Sequence, residues 1–327
     1  MKFARRQFLQ VAAGAAALPA ISHFAWAQAY PARPITMIVP FATGGPNDRI
    51  ARIMAERMSV LLGQLVAIEN VDGAAGSIGT GRAARAAPDG YTISIGYWGT
   101  HVANAAIYAL DYDIVKDFEP ISLLVESPLL IAARKATPAS DLREFVRWLR
   151  ANPDKAAAAV PGSASHIASV FFRRETGTQF RLVPYRGAGP AIRDLSQGRI
   201  DMALLNAGAP LPHVRSGEFK AYAVSAKRRL AAAPDIPTVE EAGFPNLDAS
   251  VWFGFWAPAR TPKDIITKLN AATVETLTDP GVRAQLAALA QEIFPREQQT
   301  PAALAALQRA EIEKWWPIIK EAGIKPE

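Results

Sequence analysis

Apolar positions along the chain alternate between two rhythms. Short runs rich in β-branched residues read as strands near 35–41, 65–70, 91–97, 119–125, 128–134, 156–160, 181–184, 201–205, 220–226 and 250–257. Between them, apolar residues recur at helical spacing near 47–62, 77–87, 101–109, 140–151, 165–177, 189–198, 209–217, 262–278, 281–291 and 300–322. This alternation predicts an α/β fold with mostly parallel sheets. Local punctuation agrees with it. Pro88-Asp89-Gly90 forms a turn, Gly177 and Gly198 end helices, and Thr261-Pro262 starts one with proline at its first position. Ser140, with Glu144 following, reads as another helix start.

The alternation pauses at Glu126-Ser127-Pro128, resumes, and runs to Ala249-Ser250-Val251-Trp252; the remainder is purely helical. The expected organisation is a discontinuous first domain, residues 28–127 plus 250–327, with a second domain of residues 128–249 inserted into it. Two chain crossings would then form a hinge. A cleft between two such domains is a favoured ligand site, and hinge closure is its usual mechanics.

Chemistry concentrates where strands meet helices. The run Ile35 to Phe41 stops at Ala42-Thr43-Gly44-Gly45, and a helix opens at Pro46-Asn47-Asp48. A helix start carries unpaired N–H groups and the positive end of the helix dipole, and glycine admits close approach to that backbone. The device repeats: the strand Leu65 to Asn70 leads through Gly73-Ala74-Ala75-Gly76 into a helix at Ser77-Ile78-Gly79. Both loops are expected at the carboxyl ends of strands in one sheet, so they form a pair of anion cradles for a carboxylate or phosphate. The dipole contributes about 0.3–1 kcal/mol and a direct hydrogen bond to charge about 1.5–3 kcal/mol, so amides and hydroxyls should carry the affinity. The competing reading is an ordinary βα turn, with Asp48 acting as a cap or an ion-pair partner.

Composition narrows the classes. The formal charge is +6, but Lys2, Arg5 and Arg6 supply half of it, and no later cluster of cations suggests nucleic acid. Those three residues, the apolar stretch Phe8 to Ile21 and Ala25-Trp26-Ala27 read as an export signal over residues 1–27, with Arg5-Arg6-Gln7-Phe8-Leu9 similar to a twin-arginine motif. The chain has no cysteine, which removes disulfides, thiolate metal sites and cysteine nucleophiles. His101 and His213 stand apart from other ligand types, and Asp111, Asp113 and Asp117 lack the glycine and terminal glutamate of an EF-hand. No metal or cofactor is expected. Residues Gly73 to Gly79 lack dinucleotide spacing. Ser163, Ser165 and His166 invite a hydrolase reading, but neither serine has a nucleophile elbow, and Ser165 sits where a helix cap is expected. Tyr97, Trp98, Trp252, Phe253 and Trp256 divide between core packing and lining the cleft. Trp315 and Trp316 lie in an amphipathic helix expected to pack against a sheet.

Several short motifs then carry a resemblance. Tyr30-Pro31-x-Arg33-Pro34-Ile35 and Val39-Pro40-Phe41-x-x-Gly44-Gly45-x-x-Asp48-x-x-Ala51-Arg52 open the series. Leu62-Gly63-Gln64, Glu69-Asn70, Ala87-Pro88-Asp89-Gly90-Tyr91-Thr92 and Asp117-Phe118-x-Pro120 follow. Val183-Pro184-Tyr185-Arg186-Gly187, Gly198-x-x-Asp201, Pro237-Thr238, Ala257-Pro258 and Lys268-Leu269-Asn270 complete it. In this joint order they resemble the Bug (TctC-like) family, periplasmic solute-binding proteins of tripartite tricarboxylate transport. The resemblance implies a two-domain Venus-flytrap fold of the periplasmic-binding-protein type, similar to type II, that closes on an organic carboxylate. It implies a membrane permease as partner, a monomer, and no covalent chemistry.

Carried over by motif, the first wall is Phe41, Ala42, Thr43, Gly44, Gly45 and Asp48, then Gly76, Ser77 and Ile78, with Thr100 beyond them. The opposite wall is Ser163, Ser165 and His166, with Tyr185-Arg186-Gly187 and Asn206. Two positions depart from the family pattern: Asp72 stands where proline is usual, and Ala75 where glycine is usual. Two other classes would use the same cleft: an exported esterase, and a ligand-sensing subunit of a signalling receptor.

Overall fold

The computed structural model describes residues 30–324 apart from Asp154 and Arg186. The expected export signal and Arg186 therefore lie outside the described residues. The strands are β1 (Ile35–Val39), β2 (Val66–Asn70), β3 (Thr92–Tyr97), β4 (Phe118–Ser127), β5 (Leu129–Arg134), β6 (Ala157–Val160), β7 (Arg181–Pro184), β8 (Met202–Asn206), β9 (Phe219–Val224), β10 (Val251–Pro258) and β11 (Glu292–Ile293). They form a six-stranded sheet in the order β11-β4-β10-β3-β1-β2 and a five-stranded sheet in the order β7-β6-β8-β5-β9. The chain passes from the first sheet to the second between β4 and β5, across Pro128 alone, and returns between β9 and β10.

The sheets are mixed rather than mostly parallel. In the first, β1 pairs parallel with β2 and β3, while β10 runs antiparallel to β3 and β4. The second repeats the scheme, with β6 parallel to β7 and β8, and β5 antiparallel to β8 and β9. The reason is the return path. A strand coming back from the other sheet enters from the opposite end and inserts against its neighbours' direction.

The α-helices are α1 (Pro46–Leu62), α2 (Ser77–Ala84), α3 (Asn104–Ile107), α4 (Leu142–Ala151), α5 (Ser163–Thr176), α6 (Ala188–Ser196), α7 (Leu211–Arg215), α8 (Lys263–Thr278), α9 (Pro280–Ala288) and α10 (Pro301–Glu321). Several starts differ from expectation. Asp141, not Ser140, caps α4: its carboxylate accepts from Glu144 N–H at 2.8 Å, while Glu144 reaches back to Ser140 N–H at 2.9 Å. Helix α5 begins at Ser163 behind Gly162, so Ser165 is not a cap. Pro262 is the cap residue of α8 rather than its first residue. The expected helix over 101–109 is a π-turn, Gly99–Ala103, followed by the single turn of α3. Strand β1 ends at Val39 because Pro40 has no N–H for the ladder.

The largest apolar cluster runs without a break through both sheets, from Ile35 and Met37 to Phe145, Phe172 and Met202. Trp315 of α10 is one of its bridges. Its ring meets Trp98 edge-on at 5.3 Å and Phe171 of α5 at 4.9 Å, so it packs on rings from both halves and not simply on a sheet. No described helix is long and apolar enough to cross a membrane.

Candidate functional site

The two glycine loops are neighbours because their strands are. Val39 pairs with Asn70 at the ends of β1 and β2, and the loops leave the sheet side by side. Asn70 then ties them together: its Nδ2 donates to the Phe41 carbonyl at 2.9 Å and to Asp48 Oδ1 at 3.0 Å. Thr43 Oγ1 donates to Asn70 Oδ1 at 3.2 Å. Asp48 is 2% exposed and braces the first loop from beneath. It accepts from Gly44 N–H at 2.8 Å and pairs with Arg52 at 2.9 Å. Burial would raise the pKa of its carboxyl, but the bonds from Arg52, Gly44 and Asn70 outweigh that and hold it below the usual carboxylate range.

Gly44 adopts φ +90°, which turns the loop out of the strand. The next residues form the N-terminus of α1, where Gly45 provides no side-chain cap. The N–H groups of Gly45 and Asn47 have no partner among the described residues. Asn47 is 6% exposed and its Nδ2 is buried with no hydrogen-bond partner among the described residues.

The second loop is built differently from an open cradle. Gly73, Ala74, Ala75 and Gly76 all have positive φ, at 131°, 47°, 51° and 89°. Ala75 thus strains a left-handed position that glycine occupies freely. The loop's amides fold inward: Gly76 N–H donates to Gly73 O, and Ser77 N–H to Ala74 O. The Ser77 hydroxyl accepts from Asn104 Nδ2 at 3.0 Å. Gly76 backs onto Phe41 and Thr100, where a Cβ would lie 2.7 Å and 2.8 Å from their side chains. This loop supports the first wall from behind.

Two adjoining cavities open between the sheets. The first, of about 390 Å³, is lined by Phe41, Ala42, Thr43, Gly45, Asn47, Asp72, Tyr97 and Phe253, among others. The second, of about 610 Å³, is lined by Gly44, Arg49, Ile50, Gly162, Ser163, Ser165, Leu205 and Gln291, among others. Pro46, Tyr97, Ala164 and Asn206 line both, which makes them two chambers of one cleft. The walls are the carboxyl ends of β1 and β3 on one side and of β6 and β8 on the other.

Of the expected contact residues, Phe41, Ala42, Thr43, Gly44, Gly45, Ser163, Ser165 and Asn206 line these chambers. Asp48, Gly76, Ser77, Ile78, Thr100, His166 and Tyr185 do not appear in either lining. Thr100 is fully buried, and its Oγ1 bonds Tyr97 N and O at 3.1 Å each. Ile78 is exposed and covers Gly73. Tyr185 donates to Asp194 at 2.7 Å, and burial with that carboxylate pushes its phenol up to about 12. The Ser165 hydroxyl donates to the Leu204 carbonyl at 2.7 Å.

The aromatic residues divide by strand alternation. Phe253 stacks on Tyr97 at 5.9 Å, and Phe41 meets Tyr97 edge-on at 5.4 Å, giving the first chamber an aromatic side. Trp252 and Trp256, on the other face of β10, contact each other and stay buried, as does Trp98. His101 stacks on Trp256 at 3.8 Å, and burial pushes its imidazole down to about 3, so it is a neutral core group. The sequence reading missed Asn47 and Arg49 as lining residues. Both sit in the first turns of α1, where asparagine reads as a helix-start residue and arginine as a solvated one. Their position beside Gly44-Gly45 was the available signal.

Known proteins share this fold. Residues 50–324 match the model of the tripartite tricarboxylate transporter family receptor. The chain is 34% identical over 304 residues to protein BugT of Bordetella pertussis, covering 91% of this chain and 92% of that one. Its structure is similar to MatC from Rhodopseudomonas palustris with bound malate, at TM-score 0.75 and 38% identity, covering 89% of this chain and all of that one. It is also similar to Rpa4515 of R. palustris with adipate, at TM-score 0.78 and 32% identity, covering 91% and 100%. The fold is that of a two-domain periplasmic binding protein with α/β architecture, as in the periplasmic binding protein BugD at TM-score 0.76 and 35% identity, covering 91% of this chain and all of that one. On the family match and the full-length likeness together, the chain belongs to the receptor family of the tripartite tricarboxylate transporters.

Proposed function

We propose that this protein is a periplasmic receptor that captures an organic carboxylate and delivers it to the permease subunits of a tripartite tricarboxylate-type transporter. The carrying observation is the N-terminus of α1: a buried Asn47 Nδ2 without a partner, beside the unpaired N–H groups of Gly45 and Asn47, on the wall of the first chamber. A carboxylate would satisfy these donors together, and leaving them unmet in a closed cleft costs about 1–3 kcal/mol per group. Solved relatives holding malate and adipate support an acid of that class.

Residues 28–127 with 250–327 would form one domain and residues 128–249 the other, closing as a monomer on the ligand. Phe41, Ala42, Thr43, Gly44, Gly45, Ser163 and Asn206 are proposed as contacts, with Asp48, Gly76, Ser77 and Thr100 holding the first wall in shape. Ile78, His166 and Tyr185 would approach the ligand only on closure. Binding without covalent chemistry is favoured because the Ser165 hydroxyl is committed to the Leu204 carbonyl.

Calorimetry with malate and adipate tests the proposal. Wild type is expected to bind at least one of them, and Asn47→Ala to weaken binding by about tenfold or more. Gly44→Asp places a like charge in the loop and should abolish binding. Wild-type affinity in both variants would reject the site, and no binding of any organic acid would reject the receptor reading.

A further inference from the structure

The two chambers differ in charge. Asp72 is the acidic residue among the lining of the first chamber, and its carboxylate already accepts from Gly73 N–H at 2.8 Å. Among the described residues, the lining of the second chamber has no acid, and Arg49 is its cation. Among the described residues Arg49 makes one hydrogen bond: its Nε donates to the Gly44 carbonyl at 3.1 Å. No carboxylate among the described residues pairs with it. Among the described residues its terminal nitrogens are therefore uncommitted, although Arg52, one turn on, is locked to Asp48.

Helix geometry aims Arg49 away from the first chamber. Residues two apart on a helix point to different sides, whereas those three and four apart share one. Asn47 lines the first chamber, Arg49 and Ile50 line the second, and Pro46 borders both. Across from Arg49 the wall holds Gly162, Ser163 and Ala164, the uncapped start of the 14-residue α5. Gln291 Oε1, a buried acceptor without a partner, also lines this chamber and suits a ligand hydroxyl or a water. An arginine fork facing a helix N-terminus is a site for a second acid group.

We infer that Arg49 selects dicarboxylates, holding the second acid group in the larger chamber while the first is held at Asn47. This rests on the carboxylate-receptor reading above and narrows its ligand class. Arg49 is exposed, so solvent screening keeps its contribution near the lower end for a charge-assisted bond, about tenfold in affinity.

The test titrates wild type, Arg49→Gln and Arg49→Lys with straight-chain dicarboxylic acids from succinate to adipate, and with the monomethyl ester of each. The expected result is that Arg49→Gln weakens the tightest diacid by about tenfold and changes its half-ester less than threefold, with Arg49→Lys in between. Equal losses for diacid and half-ester, or no loss, would overturn the assignment while leaving the receptor reading in place. Binding of none of these acids to wild type would overturn both.

Discussion

Asp48 shows how one side chain fixes the shape of the first wall. It is an anion at a helix start, so the dipole of α1 favours it, and Gly44 N–H, Asn70 and Arg52 all bond to it. Removing it leaves three polar groups without their partner. Asp48→Ala should therefore destabilise the fold by about 1–3 kcal/mol in urea unfolding. The pH dependence has a definite sign. A carboxyl whose folded pKa lies below its unfolded value, near 3.9, stabilises above that value and loses the contribution as pH falls through the folded one. Wild type should lose stability more steeply than Asp48→Ala on acidification below about pH 4. At this scale the sequence was partly legible. Asp48 was expected to touch the ligand, with a cap or ion pair as the competing reading, and Asn70 was not visible as its partner, because that contact joins two loops through strand pairing. Asn47 and Arg49 escaped for a related reason: which face of α1 meets the cleft depends on how the helix lies on the sheet.

Among the elements, the strand–glycine–helix units were read most completely, since each is set by neighbours in sequence. The first begins α1 at Pro46, as the sequence reading placed it to within a residue. The second was recognised as a loop entering a helix at Ser77, but its inward-folded amides depend on the backbone angles of Ala74 and Ala75, which composition does not reveal. Gly79 explains why this helix lies so close to β1. A Cβ there would meet Val71 O at 2.5 Å and Pro40 Cα at 2.7 Å, both backbone atoms that cannot swing aside. Gly79→Ala should cost about 1–3 kcal/mol and, because Gly76 supports Phe41, should also weaken ligand binding. A variant with unchanged melting temperature would show that the contact yields. The short β11 was missed because two residues carry no periodicity, and the mixed sheets because pairing direction is not local.

For the whole molecule, the α/β class with its two sheets was legible from the alternation. The unbroken core beneath them was not, since Trp315 joins Trp98 and Phe171 from segments distant in sequence. At the crossings lies a second charged hollow, where Glu126 and Glu311 are both pushed up by burial. Glu126 accepts a hydrogen bond from Ser250, with Asp248 adding repulsion and Arg228 and Lys227 relieving it. A carboxyl whose folded pKa is raised stabilises below its unfolded value, near 4.3, and loses that contribution as pH rises through the folded one. Glu126→Gln keeps the acceptor for Ser250, so it should melt higher than wild type at neutral pH, with the difference vanishing below about pH 4. A lower melting temperature at neutral pH would contradict this. Ser250 and Glu126 also have a mechanical consequence. Glu126 lies near the end of β4 and Ser250 just before β10, and these two strands already pair along their length. Both routes across the waist are thus laced into a single ribbon. Any movement of one sheet against the other would therefore have to draw on both connections together.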